Sequence, residues 1–377
     1  MSRGKVLFYC QHLLGVGHIS RSLAICQGLL ERFDVVFVQG GPDIGRSLER
    51  PGFERVLLPP LLMREHDSSL YDPVAGRPVE EVLAARNEAL EWAKSQDYAA
   101  VIVEMFPFGR FKLKHEIIGL IEAARQVNPQ ARIYCSNRDI MVQKPDQEAR
   151  EAKIIGILDA HFDAVLVHSD PALIALGDTF GSAGLLGERV IHTGYVTDST
   201  AFPEVLPPRE KRVLVSVGGG AIGDDLALAV AGIAERFPDW EFRFLTGPYS
   251  SGALRSELRA RTGHLERASV HGFSDDFRGE LLRAGLSISL AGYNTLMDIL
   301  STRTPALVHP YMANREQDMR ASLLAERGLV GLLYDGDLQP DLLERAIRDR
   351  MAAPLPETGI DLSGARRTAE IVIEELA

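Results

Sequence analysis

SLAGYNTLMDILSTRTPALVHPYMANREQDMRASLLAERG, residues Ser289–Gly328, alternates two kinds of segment in a fixed order. An apolar run ends at Ala291-Gly292 and a helical period opens at Asn294-Thr295. A second aliphatic run, Ala306–Val308, ends in His309-Pro310, and another helical segment opens at Arg315. Short aliphatic runs separated by helical segments are the repeat of a parallel sheet covered by helices.

Outward from this stretch the same alternation continues. Strands are predicted at Val213–Val217, Glu241–Leu245, Ala268–His271, Leu286–Ser289 and Val330–Leu333, with helices between them and a last one at Pro340–Met351. A separate series precedes it, with strands at Lys5–Cys10, Val35–Val38, Arg55–Leu58, Ala99–Val103, Arg132–Cys135 and Ala164–Val167. Its helices are predicted at Ile19–Glu31, Val79–Ser95, Lys112–Val127 and Gln147–Leu158. HTGYVTDSTAFPEVLPPREK, from His192 to Lys211, has no period and is rich in proline and polar residues, as an interdomain linker is. The reading is of two doubly wound α/β domains, with residues 1–193 forming the first, 194–211 the linker, 212–355 the second and 356–377 a final helix. In such folds ligands bind beyond the carboxyl ends of the strands, here expected to face a cleft between the domains.

A chain of 377 residues has room for two such cores. Its net charge of −11 argues against a broad nucleic-acid surface, which needs an excess of Lys and Arg. The opening, MSRGKVLFYCQHLLGVGH, lacks the long apolar core of a signal peptide, and no run reaches the ~20 apolar residues of a membrane span. Cytoplasmic placement is expected. Cys10, Cys26 and Cys135, without a CxxC, are expected to be reduced and buried.

Three loops at strand ends carry candidate chemistry. In GVGH, Gly15–His18, two glycines let the backbone turn sharply, and His18 falls at a helix start, where the dipole disfavours imidazolium. In VSVGGGAIGDD, the glycines Gly218, Gly219 and Gly220 lie between a strand and a helix, where backbone N–H groups can meet a phosphate. Asp224 and Asp225 are read as first-turn charges that complement the dipole rather than as metal ligands. In the third loop Gly292, Asn294 and Thr295 open a helix suited to a phosphate. Asp298 follows one turn later on the same face, where a carboxylate can accept ribose hydroxyls. Glu316, Gln317 and Asp318 sit at the mouth of the next strand, where side chains can take sugar hydroxyls. No cysteine or histidine cluster has metal-ligand spacing, so no metal and no cofactor are expected.

Elsewhere, Glu104 ends the Ala99–Val103 strand on the side of the same cleft, as an orienter of His18, as a base itself, or equally as a salt-bridged or solvated strand-end carboxylate. FPFGRFKLKHE, with Phe106, Phe108 and Arg110, is a candidate acceptor-side or anionic-surface patch, or else a loop leading into an amphipathic helix, the more ordinary reading. Leu61, Leu62 and Met63 would suit a lipid carrier if exposed and a core contact otherwise.

Taken together, GVGHISRSL, VSVGGGAIG, HGFSDDF and LAGYNTLMDIL…TPALVHPYMANREQD resemble, in order, the segments of GT-B glycosyltransferases of the group containing the N-acetylglucosaminyltransferase that completes lipid II. The resemblance implies a GT-B fold with the last helix crossing back to the first domain, and an inverting, metal-independent transfer from a UDP-linked sugar. It implies His18 as base or acceptor-orienting residue, Gly17 in the first glycine loop, and Phe273 and Ser274 beside the uracil. Asp298 would hold the ribose. Gly218, Gly219, Gly220, Thr246, Gly292, Asn294 and Thr295 would line the donor, with Glu316, Gln317 and Asp318 at its sugar. The acceptor, a lipid carrier, glycan or small molecule, is not identified, and peripheral contact with the inner face of a membrane is compatible with it. The chain departs from the group in three places: Asp298 stands for the usual Glu, Asp318 for Gln, and the glycine run is shorter. GVGHISRSL also resembles the start of the UDP-sugar hydrolases of the pseudaminic acid pathway. A hydrolase and a non-catalytic nucleotide-sugar-binding module are therefore the competing expectations.

Overall fold

Runs of β-branched and aliphatic residues too short for helices become the strands of two parallel sheets, and the amphipathic segments between them cover both faces. The computed structural model describes residues 3–13, 17–64, 67–142, 146–197, 206–219, 222–247, 250–354, 357 and 359–376. The chain divides into two compact units, Met1–Ser199 with Ile360–Ala377, and Thr200–Gly359.

In the first unit the strands are β1 (Lys5–Gln11), β2 (Asp34–Gly40), β3 (Phe53–Leu57), β4 (Leu62–Met63), β5 (Leu70–Tyr71), β6 (Ala100–Glu104), β7 (Arg132–Arg138), β8 (Ala164–His168) and β9 (Val190–His192). Its helices are α1 (Gly17–Leu29), α2 (Val79–Lys94), α3 (Lys114–Val127), α4 (Gln147–His161) and, from the far end of the chain, α11 (Gly364–Glu375). Seven strands form one sheet in the order β3-β2-β1-β6-β7-β8-β9, every pairing parallel. β4 and β5 form a separate antiparallel hairpin.

β1 shows why the sheet is buried on both faces. Leu7 and Tyr9 join one apolar cluster, while Val6, Phe8 and Cys10 join the other. Alternate residues of a strand point to opposite faces, so a strand covered on both sides reads as a continuous apolar run. α11 belongs to the second cluster through Ala365, Ala369 and Val372. It lies close against α1, where a Cβ on Gly28 would stand only 2.9 Å from the Cβ of Ala369. The three cysteines are buried and free.

The second unit repeats the plan. Its strands are β10 (Glu210–Ser216), β11 (Glu241–Leu245), β12 (Ala268–His271), β13 (Ala284–Leu290), β14 (Ala306–His309) and β15 (Gly331–Leu332). Its helices are α5 (Asp224–Ile233), α6 (Gly252–Thr262), α7 (Phe277–Arg283), α8 (Tyr293–Thr302), α9 (Arg315–Glu326) and α10 (Pro340–Ala352). The sheet order is β12-β11-β10-β13-β14-β15, again all parallel.

In both sheets the strand order reverses beside the first strand, between β1 and β6 and between β10 and β13. Loops leaving neighbouring strands at such a point diverge to opposite faces and open a crevice. Gly17 and His18, which open α1, and Glu104 lie at one of these points. The glycine turn after β10 and the Gly292 turn after β13 lie at the other.

Several expected boundaries are corrected. The linker is shorter than 194–211, because Tyr195 and Val196 are buried in the first unit and β10 already begins at Glu210. The backbone N–H of Tyr195 donates to Asp361, and Val196 bridges Ser363, which ties this segment to the chain entering α11. β9 was missing from the expected strands because its three residues are too few to show a period. Leu61 is fully buried and Leu62 and Met63 are half-buried in the hairpin, so the stretch is not an exposed apolar surface.

Candidate functional site

In the first unit the site starts from the end of β1. Gly15 lies outside the described residues; Gly17 is the first residue of α1 and His18 the second. Glu104, the last residue of β6, is fully buried, and its Oε1 lies 2.6 Å from His18 Nδ1. Arg21, one helical turn beyond His18 and also buried, donates to the same Oε1. Arg110 stands on the other side, with Nη2 3.6 Å from Glu104 Oε2.

The electrostatics follow from this packing. Burial opposes ionisation of Glu104, but His18, Arg21 and Arg110 together hold its carboxyl well below the usual range. An ionised carboxylate accepts the proton of His18 Nδ1, which leaves the lone pair on Nε2. Burial lowers the His18 pKa, with the charges of Arg110 and Arg138 acting in the same direction and Glu104 against it. The imidazole is neutral at rest, its side chain 13% exposed. Behind Glu104, Ser136 is its register partner on β7, and its Oγ is 2.7 Å from His168 Nε2. That buried pair had no signal in the sequence, since neither residue belongs to a motif.

The patch reading of Phe106 and Phe108 is overturned. Both rings are buried, Phe106 against Phe111 and Phe162, and Phe108 edge-on to Phe180 at 5.2 Å. The interleaved charges suggested a surface, but an irregular turn sends the rings inward and Arg110 back toward β1, where its Nε donates to the Gln11 carbonyl at 2.7 Å.

In the second unit Gly218 adopts a left-handed conformation (φ 62), which Gly takes readily, and together with Gly219 it is exposed at the end of β10. Gly220 lies outside the described residues. Gly292 is the N-cap of α8, whose first turn carries no acidic residue, so the positive end of the helix is not neutralised there. Asn294 and Thr295 sit half-buried in that turn. Asp298 follows, its Oδ1 3.9 Å from Arg278 Nε on α7. Phe273 is exposed and Ser274 half-buried after β12.

The hydroxyl of Thr246 is engaged within the second unit. The residue is buried, donates to the His271 carbonyl at 3.3 Å and accepts from Ser250 at 2.8 Å. Glu316 is likewise buried. Gln317 and Asp318, half-buried in the first turn of α9, are each held from outside the helix. Tyr311 N–H donates to Gln317 Oε1, and Tyr334 Oη donates to Asp318 Oδ1, both at 3.1 Å. Tyr334, after β15, escaped the sequence reading, because a single tyrosine in a loop belongs to no pattern.

This arrangement meets a known class. Residues 213–363 match the glycosyltransferase family 28 C-terminal domain, and the whole chain has the fold of the GT-B glycosyltransferases. A UDP-N-acetylglucosamine–N-acetylmuramyl-(pentapeptide) pyrophosphoryl-undecaprenol N-acetylglucosamine transferase from Gloeobacter violaceus is 29% identical over 186 residues, covering 45% of this chain and 50% of the relative. The chain spans half or less of the length of the first curated relatives it matches. Among solved structures, MurG of Acinetobacter baumannii superposes with a TM-score of 0.57 at 13% identity, covering 99% of this chain and 98% of that one. The calicheamicin glycosyltransferase CalG4 gives 0.61 at 18% identity, covering 100% and 95%. Among the described residues no helix is long and apolar enough to cross a membrane.

Proposed function

We propose that the chain is an inverting, metal-independent glycosyltransferase that moves a sugar from a UDP-linked donor to an acceptor hydroxyl. The observation that carries this reading is the pairing of His18 with the buried Glu104, which directs the Nδ1 proton to the carboxylate and leaves Nε2 as the basic nitrogen. A neutral imidazole in that tautomer is suited to take a proton from a hydroxyl as it attacks the anomeric carbon. Glu104, held ionised by two guanidiniums, is the orienter in this reading and not the base. An imidazolium formed in the reaction would be stabilised by the same carboxylate.

On the donor side, the α8 N-terminus and the turn at Gly218-Gly219 would stabilise the departing diphosphate, with Asp298 on the ribose and Gln317 and Asp318 on the sugar. The family 28 match over these segments supports a nucleotide-sugar donor, and the relatives' name favours UDP-N-acetylglucosamine over another UDP-hexose. A lipid-linked acceptor, as in that name, would make the chain a peripheral protein at the inner face of a membrane; a glycan or small molecule would not require this.

The test is UDP release from UDP-N-acetylglucosamine and UDP-glucose, with and without EDTA, while candidate hydroxyl acceptors are varied. Acceptor-dependent release that survives EDTA and is lost in His18→Ala supports the reading. Equal release with water alone would make the chain a hydrolase. Donor binding with no turnover in the native chain would make it a binding module.

A further inference from the structure

The segment that leaves β6 is bent against its own preferences. Met105 (φ 64) and Arg110 (φ 63) both occupy the left-handed region, which side chains other than glycine adopt at a cost in energy. The turn is closed by Gly109 N–H donating to the Met105 carbonyl at 2.6 Å, and it is tied to β7 by Met105 N–H donating to Ser136 at 2.8 Å. Phe106 and Phe108 anchor it in the core. Such a conformation persists only where its surroundings over-determine it, and here it returns the guanidinium of Arg110 to the strand ends it has just left.

What the guanidinium meets there is specific. Its Nε donates to the carbonyl of Gln11, the last residue of β1, and Nη2 faces Glu104 Oε2. The two oxygens of Glu104 are therefore divided. Oε1 takes both His18 and Arg21; Oε2 is buried, makes no hydrogen bond among the described residues and has Arg110 as its ion-pair partner. The last torsion of a glutamate is a broad, two-fold rotor, so contacts on one oxygen alone leave its carboxylate plane loosely set. We propose that Arg110 is a positioning residue. It fixes the rotation of the Glu104 carboxylate, so that Oε1 is presented to His18 Nδ1, and it locks that geometry to the end of β1. This rests on reading His18 as the base, and it moves Arg110 from the acceptor side, where the sequence suggested it, to the support of the catalytic pair.

Arg110→Met keeps much of the stem and removes the charge and the fork; Arg110→Lys keeps the charge alone. Both are compared with the native chain and His18→Ala, each as the whole 377-residue chain. One readout is UDP release from UDP-N-acetylglucosamine with the hydroxyl acceptor that supports it best. The other is the NMR titration of the His18 imidazole, assigned by its loss in His18→Ala. Arg110→Met is expected to lower kcat about tenfold or more with donor KM little changed, because the defect is one of geometry at the base. Removing a nearby cation also favours imidazolium, so the His18 titration and the acid limb of the rate profile should both move to higher pH by about half a unit or more. Arg110→Lys should restore the titration but not the rate. A merely structural role would lower the melting temperature of both variants and move neither the titration nor the kcat-to-KM split, and that result overturns the proposal. So does a native rate and titration in Arg110→Met. If Arg110→Met does not fold, a native rate in Arg110→Lys overturns the proposal and a reduced rate with a native titration supports it. If the native chain releases no UDP with any acceptor, or His18→Ala retains full activity, the functional reading fails, while a His18 titration unmoved in Arg110→Met still overturns the coupling of Arg110 to the pair.

Discussion

Replacing Glu104 by glutamine removes one negative charge from the centre of the first unit and changes almost no volume. The native carboxylate is fully buried and is shared by a buried Arg21, by Arg110 and by His18. Truncating one partner of a buried, hydrogen-bonded ion pair costs ~3–5 kcal/mol, because the remaining charge stays desolvated without compensation. Glutamine keeps one acceptor oxygen, so the lower end is the better estimate, about 3 kcal/mol. At roughly 2–4 °C per kcal/mol this is a fall in melting temperature of roughly 6–12 °C. The pH dependence sharpens the test. The folded-state pKa of Glu104 is depressed, so its stabilisation is fully present above the ordinary value of 4.5 and is lost as pH falls toward the folded value. The gap between native chain and Glu104→Gln should therefore be widest near neutrality and shrink steadily below about pH 4.5. Urea unfolding at a series of pH values measures it. A loss under about 1 kcal/mol at pH 7, or a gap that stays constant into acid, would refute the charge accounting and with it the claim that Glu104 is held ionised.

Three further outcomes are expected. Asp298→Ala should abolish the thermal stabilisation by UDP, which for a ligand at a hundred times its Kd is ~2.7 kcal/mol in the native chain; an undiminished shift would remove Asp298 from the donor site. Tyr334→Phe, which loses the hydroxyl that holds Asp318, should weaken UDP-sugar binding about fivefold while leaving UDP unchanged, as isothermal titration would show; equal effects on both would place Tyr334 away from the sugar. Phe108→Ala should cost ~3–5 kcal/mol in urea unfolding, whereas a surface residue in an acceptor patch would cost under about 0.5 kcal/mol.

Most of the fold was legible because its strands are covered on both faces. β1 and β6 read as unbroken apolar runs, and the polar residues where they stop, Gln11 and Glu104, mark the loops that build the site. The His18–Glu104 pair was half legible: topology brings the ends of β1 and β6 together, but no spacing in the sequence says which nitrogen meets which oxygen. Arg21 stood in plain view at i+3 from His18, and only the structure shows it sharing the carboxylate. The Phe106–Arg110 segment misled because alternating aromatic and basic residues imitate an amphipathic surface, whereas its backbone obeys no regular period. The linker was drawn too long because polar residues and prolines were taken for exposure. Tyr195 is buried, and its backbone is hydrogen-bonded to Asp361 and Gly364, far away in the sequence.

The late return of α11 has a consequence for biosynthesis. The apolar face that α1 shares with it is completed by Ala365, Ala369 and Val372, which emerge from the ribosome only after all of residues 200–359. The second unit is continuous in sequence and can fold as soon as it is made. The first, begun earlier, must wait with that face uncovered until α11 has been made. Newly made chains that stop short of residue 364 would be the form of this protein most exposed to chaperones and proteases.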